Sequence, residues 1–252
     1  MKNGRLKQSV CRWCYPRVDL DALAAHAKSI GLSGIDLLDP ADFPTVQKHG
    51  LICSMTNSHG IDDGLNRKEN HEPALAKIRS AIEASAEFGY PNVICFSGNS
   101  GGMHRTEGLN NCAEALRQII PLAERLNITL CLEMLSSKRM HKDYMADNSA
   151  WAIDLVHKVG SERFKLLYDI FHMQIMEGDI IETIRRHHDC FAHYHTAGVP
   201  HHHELDGTQE LNYCAIAHAI AEAGFTGYLA HEFTPIRDWK QSLAEAVKVC
   251  AV

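Results

Sequence analysis

The chain has 252 residues, 45% of them hydrophobic and 22% charged, which suits one large or two small globular domains and excludes a disordered chain. No stretch approaches the ~18–20 uncharged apolar residues that span a bilayer, and the first eight residues lack the apolar run of a secretory signal, so a cytoplasmic location is expected. Lys and Arg number 25 against 31 Asp and Glu; the net charge of −6 lacks the basic excess usual in nucleic-acid binders and argues against such a partner.

In chain order, short β-like runs alternate with longer amphipathic segments, and no Pro/Gly/Ser linker divides them. The runs cover 7–11, 34–38, 51–56, 92–97, 128–134, 164–169, 190–196 and 227–232. Helix-like stretches fall at 19–30, 41–49, 71–88, 107–126, 147–159, 177–187, 211–223 and 238–250. Asp19 and Asp238 are placed as N-caps, and Pro73 sits in the first turn of its helix. Gly31, Gly89, Gly160 and Gly224 follow helices at C-cap positions. The strands are nearly continuous apolar runs, as in a parallel sheet covered by helices. Eight such βα units in a chain of this length predict an α/β fold, a (β/α)8 TIM barrel filling 1–252 as a single domain. A doubly wound open sheet would carry a Gly-rich dinucleotide turn after the first strand, where this chain reads Cys11-Arg12-Trp13-Cys14-Tyr15-Pro16.

In such a barrel the active site lies at the C-terminal ends of the strands. The fifth run ends in Glu133, the sixth in Asp169 and the eighth in Glu232, while the seventh contains His195. Their successive separations of 36, 26 and 37 residues are close to one βα unit each, so three carboxylates and an imidazole converge at the barrel mouth. Buried carboxylates side by side repel strongly unless a cation holds them. One divalent metal ion is therefore expected as cofactor. The oxygen-rich ligand set favours Mg²⁺ or Mn²⁺, with Zn²⁺ and Co²⁺ compatible.

These motifs carry a family resemblance. Leu132-Glu133 with Leu135-Ser136-Ser137, Tyr168-Asp169-Ile170-Phe171-His172-Met173-Gln174, His193-Tyr194-His195-Thr196-Ala197-Gly198-Val199-Pro200 and His231-Glu232-Phe233 resemble the xylose-isomerase-like TIM barrels. That superfamily includes hydroxypyruvate isomerase, ketose 3-epimerases, inosose dehydratase and endonuclease IV. The resemblance implies that Glu133, Asp169, His195 and Glu232 ligate the metal, that Glu133 and Glu232 shuttle protons, and that His172 contacts substrate oxygen. It implies an isomerase or epimerase of a small hydroxycarbonyl compound or sugar, hydroxypyruvate isomerase-like, working through a metal-stabilised enediolate. Relatives commonly carry Gly-Arg after the proline of the seventh loop, whereas this chain reads Pro200-His201-His202-His203-Glu204. His202 thus replaces a charged bidentate group, which weakens the inference of a carboxylate or phosphate on the substrate. The alternatives are a dehydratase of a keto-polyol or sugar acid on the same scaffold, a non-catalytic sugar-binding protein, and a DNA repair enzyme like endonuclease IV. The acidic net charge and the single ligand set disfavour the last. The expected partner is a small-molecule substrate, with no nucleic acid and no membrane. Dimers or tetramers are common among relatives, but no sequence feature establishes one.

Of the 17 histidines, His195 and His172 carry the site, with His202 beside them; His59, His104 and His141 fall in loops on the same side. Lys138, five residues past Glu133, is a substrate-contact candidate for its charge and loop placement. The Cys11/Cys14 pair has redox spacing but closes a strand instead of opening a helix, and Trp13 between them is expected to line the pocket floor. The nine scattered cysteines read as small core residues. Ser97-Gly98-Asn99-Ser100-Gly101-Gly102 has the composition of a phosphate cradle, although such loops are more often simply tight.

Overall fold

The computed structural model describes residues 6–252. Eight parallel strands close into a barrel in sequence order: β1 (Lys7–Cys11), β2 (Gly34–Leu38), β3 (Ile52–Thr56), β4 (Asn92–Cys95), β5 (Thr129–Glu133), β6 (Phe164–Asp169), β7 (Phe191–Thr196) and β8 (Tyr228–His231). The ring closes where Val10 pairs with His231 and Lys7 with Tyr228. Helices α1 (Leu20–Ser29), α2 (Phe43–Lys48), α3 (His71–Phe88), α4 (Arg105–Leu126) and α5 (Ser149–Val159) cover the first five strands. Helices α6 (Ile170–Met176), α7 (Ile180–His187), α8 (Tyr213–Glu222) and α9 (Trp239–Val249) cover the rest. None of these helices is long and apolar enough to cross a membrane.

The local signals act as their chemistry dictates. Asp19 accepts from the amides of Asp21 and Ala22, and Asp238 from that of Gln241, satisfying donors the first turns of α1 and α9 would otherwise leave open. Gly89 and Gly160 end α3 and α5 in the left-handed region, at φ 70° and 71°, where a Cβ would be strained. Outside the sheet, aromatic rings fill the space under the helices. Tyr168 meets Phe191 at 4.7 Å between centroids, and Tyr194 meets Phe225 at 4.8 Å.

Two features depart from the sequence expectation. Helix α6 starts directly after β6 with no loop, because the Asp169 carboxylate caps it by accepting from the His172 amide at 2.8 Å. Its mostly apolar sequence shows no amphipathic stripe and reads as the tail of a buried run. In β2 the register against β3 shifts on both sides of Asp36, and Leu37 takes a φ of 56°. This bulge turns Leu37 toward the barrel mouth.

Close contact between β2 and β3 depends on Gly34, where an added Cβ would meet the Ile52 carbonyl oxygen at 2.8 Å. Gly34→Ala is expected to lower stability by about 1–3 kcal/mol, measured as a drop in the urea midpoint. An unchanged midpoint would show that the two strands separate freely.

Candidate active site

Glu133 ends β5, Asp169 ends β6, His195 lies near the end of β7 and Glu232 follows β8; all four are buried. The parallel register sets His195 beside Asp169 and Thr196 beside His231, so the four side chains stand at one height. One donor atom from each lies within 4.8 Å of the others. His195 Nδ1 is 3.0 Å from Glu232 Oε2, 3.1 Å from Glu133 Oε1 and 3.8 Å from Asp169 Oδ2. One ring nitrogen can pair with only one of these oxygens at a time, and Glu232 Oε2 is the nearest. Glu133 Oε1 and Asp169 Oδ2 are left buried without a hydrogen-bond partner. Orphaned carboxylate oxygens facing each other and an imidazole nitrogen fit a divalent cation, and they fit no other protein group in reach.

The opposite side of the imidazole is occupied as well. His195 Nε2 lies 2.9 Å from Asp36 Oδ2, and Asp36 Oδ1 accepts from Ser54 Oγ and lies 3.2 Å from His193 Nε2. With the Nε2 proton on Asp36, Nδ1 presents its lone pair to the acid cluster, the tautomer a metal ligand requires. Neither Asp36 nor His193 is apparent from motif spacing. The available signal is an acid inside an otherwise apolar strand, Gly34-Ile35-Asp36-Leu37-Leu38.

Electrostatics separate the acids. Burial pushes Glu133 up to about 7, against the pull of His195 and reinforced by the charge on Glu232. Burial and Glu232 also raise Asp169 well above the usual carboxylate range. Glu232 goes the other way, to about 2: burial opposes ionisation, but His195 and the Trp13 indole outweigh it. For Asp36, too, burial is overcome by His193 and His195, and the carboxyl is held low. Burial alone would lower His195, yet the surrounding Glu232, Cys11 and Asp36 raise it well above the ordinary value.

A cavity of about 370 Å³ opens onto this cluster. Its wall includes Glu133 and Glu232 together with His172, His202, His141 and Trp13. The Trp13 indole donates to Glu232 Oε1 at 2.7 Å. His172 is placed by the first turn of α6, pairs with Ser136 Oγ at 2.9 Å through Nδ1, and is pushed by burial down to about 3, a neutral ring. His202 stands with its ring 4.6 Å from that of Phe171 and 5.7 Å from that of Trp13, and its carbonyl accepts from the Thr234 amide after β8.

Other candidates lie elsewhere. Lys138 does not line the cavity: its Nζ donates to the Ile175 and Met176 carbonyls at the end of α6, at 3.1 and 2.8 Å. His59 is held between the Gly60 carbonyl and the Phe96 amide, and His104 caps α4. Cys11 and Cys14 are buried with thiols pushed well up by burial, contrary to the needs of a redox pair, while Trp13 reaches the cavity. In the 97–102 loop the Gly101 amide already donates to Asp143 Oδ2 at 2.6 Å, so a carboxylate of the chain itself takes the place an anion would need.

The sequence model of the xylose isomerase-like TIM barrels matches residues 25–250. The chain is similar to 2-oxo-tetronate isomerase from Haemophilus influenzae, 28% identical over 86% of this chain and 88% of that protein. It is also similar to hydroxypyruvate isomerase from Escherichia coli, 25% identical over 86% and 89%. Among solved structures, an AP endonuclease, family 2, from Brucella melitensis superimposes with a TM-score of 0.83 at 22% identity, covering 95% of this chain and 98% of that one, a likeness of fold.

Asp36→Asn keeps the shape but makes the Nε2 proton of His195 compete with an amide. It is expected to weaken divalent-metal binding by about 10–100-fold, read by calorimetry with Mn²⁺, and to lower the metal-free melting temperature while melting stays cooperative, because the buried pairing with His193 and His195 is lost. Unaltered affinity would remove Asp36 from any role in orienting His195.

Proposed function

The chain belongs to the xylose isomerase-like TIM-barrel family, and we propose that it is a metal-dependent isomerase or epimerase of a small hydroxycarbonyl compound or sugar. The observation that carries this reading is that Glu133 and Glu232 belong both to the four-residue ligand cluster and to the cavity wall. Two carboxylates that belong to the ligand cluster and also reach the cavity suit proton transfer at a carbon next to a carbonyl. The names of the relatives, both isomerases, support the same class.

Glu133, Asp169, His195 and Glu232 would hold the ion, and their oxygen-rich character favours Mg²⁺ or Mn²⁺. When bound, such an ion polarises the carbonyl and hydroxyl oxygens of a substrate and offsets the negative charge that develops on proton removal. Of the two glutamates, one takes the carbon-bound proton and the other returns one. Trp13 fixes the Glu232 carboxylate by its indole hydrogen bond, which keeps one oxygen from rotating out of line. His172, a neutral ring positioned by Ser136, is placed to hydrogen-bond a substrate oxygen. Leu37, Ile61, Phe96 and Leu135 exclude water around the reacting carbon.

Glu133→Gln and Glu232→Gln should each leave a folded barrel whose turnover falls by about 10²–10⁴-fold, together with loss of deuterium incorporation next to the carbonyl in D₂O. Near wild-type turnover in either variant would refute its role as a proton carrier. Chelation should abolish activity and one equivalent of Mn²⁺ per chain restore it; three ions per chain would favour a phosphodiester-cleaving centre. Products of unchanged mass support isomerisation or epimerisation, and loss of water marks a dehydratase.

A further inference from the structure

The reading above leaves the charge of the substrate open, and the cavity wall bears on it directly. We propose that the substrate is an uncharged polyhydroxy carbonyl compound of sugar size, and that the cavity discriminates against carboxylates, with His202 setting that preference. This rests on the isomerase or epimerase reading of the same site.

Three observations support it. First, among the described residues lining the cavity none is Lys or Arg, and the charged ones are Glu133 and Glu232. With Asp169 behind them, three acids outnumber the charge of one divalent ion, so a second anion enters against repulsion. Four basic side chains on the surrounding loops are engaged elsewhere. Arg12 donates to the Tyr15 carbonyl at 2.6 Å, and Lys138 to the end of α6. Arg139 reaches the Pro200 carbonyl at 3.4 Å, and Arg237 pairs with Asp206 and Glu245 at 3.1 and 2.8 Å.

Second, the wall has the chemistry that hydroxyl groups and C–H faces need. Asn57, His141, His172 and His202 offer neutral donors and acceptors, while Trp13 and Phe96 offer flat apolar faces. Third, the cavity of about 370 Å³ lies in the size range of small-molecule sites and leaves room beyond a three-carbon compound. His202 is the wall position where a longer basic side chain would supply the missing cation, since Phe171 and Trp13 flank its ring and the loops after β7 and β8 are joined at its carbonyl.

The test uses pairs that differ only by a CH₂OH in place of a COO⁻: dihydroxyacetone against hydroxypyruvate, and D-fructose against 2-keto-D-gluconate. Binding to the Mn²⁺-loaded chain is measured by calorimetry, so turnover is not required. In each pair the neutral compound is expected to bind at least tenfold tighter, and the six-carbon pair tighter than the three-carbon pair. Carboxylates that bind equally well or better, or binding of neither member of either pair, would overturn the proposal. In His202→Arg the carboxylates should gain at least tenfold on their neutral partners; an unchanged ratio in a variant that still melts cooperatively would overturn the role of His202. Selective binding of neutral sugars without any isomer formed would instead refute the catalytic reading and leave the charge preference standing.

Discussion

His195 has two ring nitrogens, and four carboxylates are arranged around them. Asp36 stands on one side; Glu133, Asp169 and Glu232 stand on the other. Proton transfer to the ring can satisfy one acid on each side and no more. The remaining oxygens are buried and unpaired, a state that costs free energy unless positive charge enters. The barrel itself is what holds them there: each acid lies within, at the end of, or directly after a strand that is hydrogen-bonded to neighbours on both sides, so they cannot relax apart. The fold's stability and the crowding of these acids are therefore opposed, and the divalent cation proposed for this site would resolve the opposition.

Much of this arrangement is legible in the amino-acid sequence because barrel strands bury both faces. One mostly apolar run ending in Glu or Asp reads as a cap or an ion pair, but several in register at successive strand ends point to a shared site, and three of the four proposed ligands, Glu133, Asp169 and Glu232, are such endings. The strand runs agree with the structure to within one or two residues at either end, since Gly and Asp mark where helices stop and start. Helix α6 escapes because its cap is the Asp169 side chain itself, a residue already explained as a strand end.

What is not legible depends on closure of the ring. Asp36 and His195 are 159 residues apart, and Trp13 and Glu232 are 219 apart. No local pattern announces that the first two strands face the last two: Trp13 reads as a pocket residue from its place after β1, but its bond to Glu232, like the role of an acid in the middle of β2, appears only once β1 pairs with β8. Lys138 errs in the other direction. Its charge and its distance from Glu133 suggest the cavity, but the orphan carbonyls at the end of α6 are nearer and give a lysine three-donor head a better home.

The two halves of the barrel have divided their work. The four residues of the proposed ligand cluster all come from β5 to β8, whereas Trp13, Leu37, Asn57, Ile61 and Phe96, five of the twelve residues of the cavity wall, come from the loops and bulge of the first half. Substitutions at Leu37, Asn57, Ile61 and Phe96 would reshape what fits without altering the buried acids, whereas a change at Trp13 would reach Glu232 directly through the indole hydrogen bond.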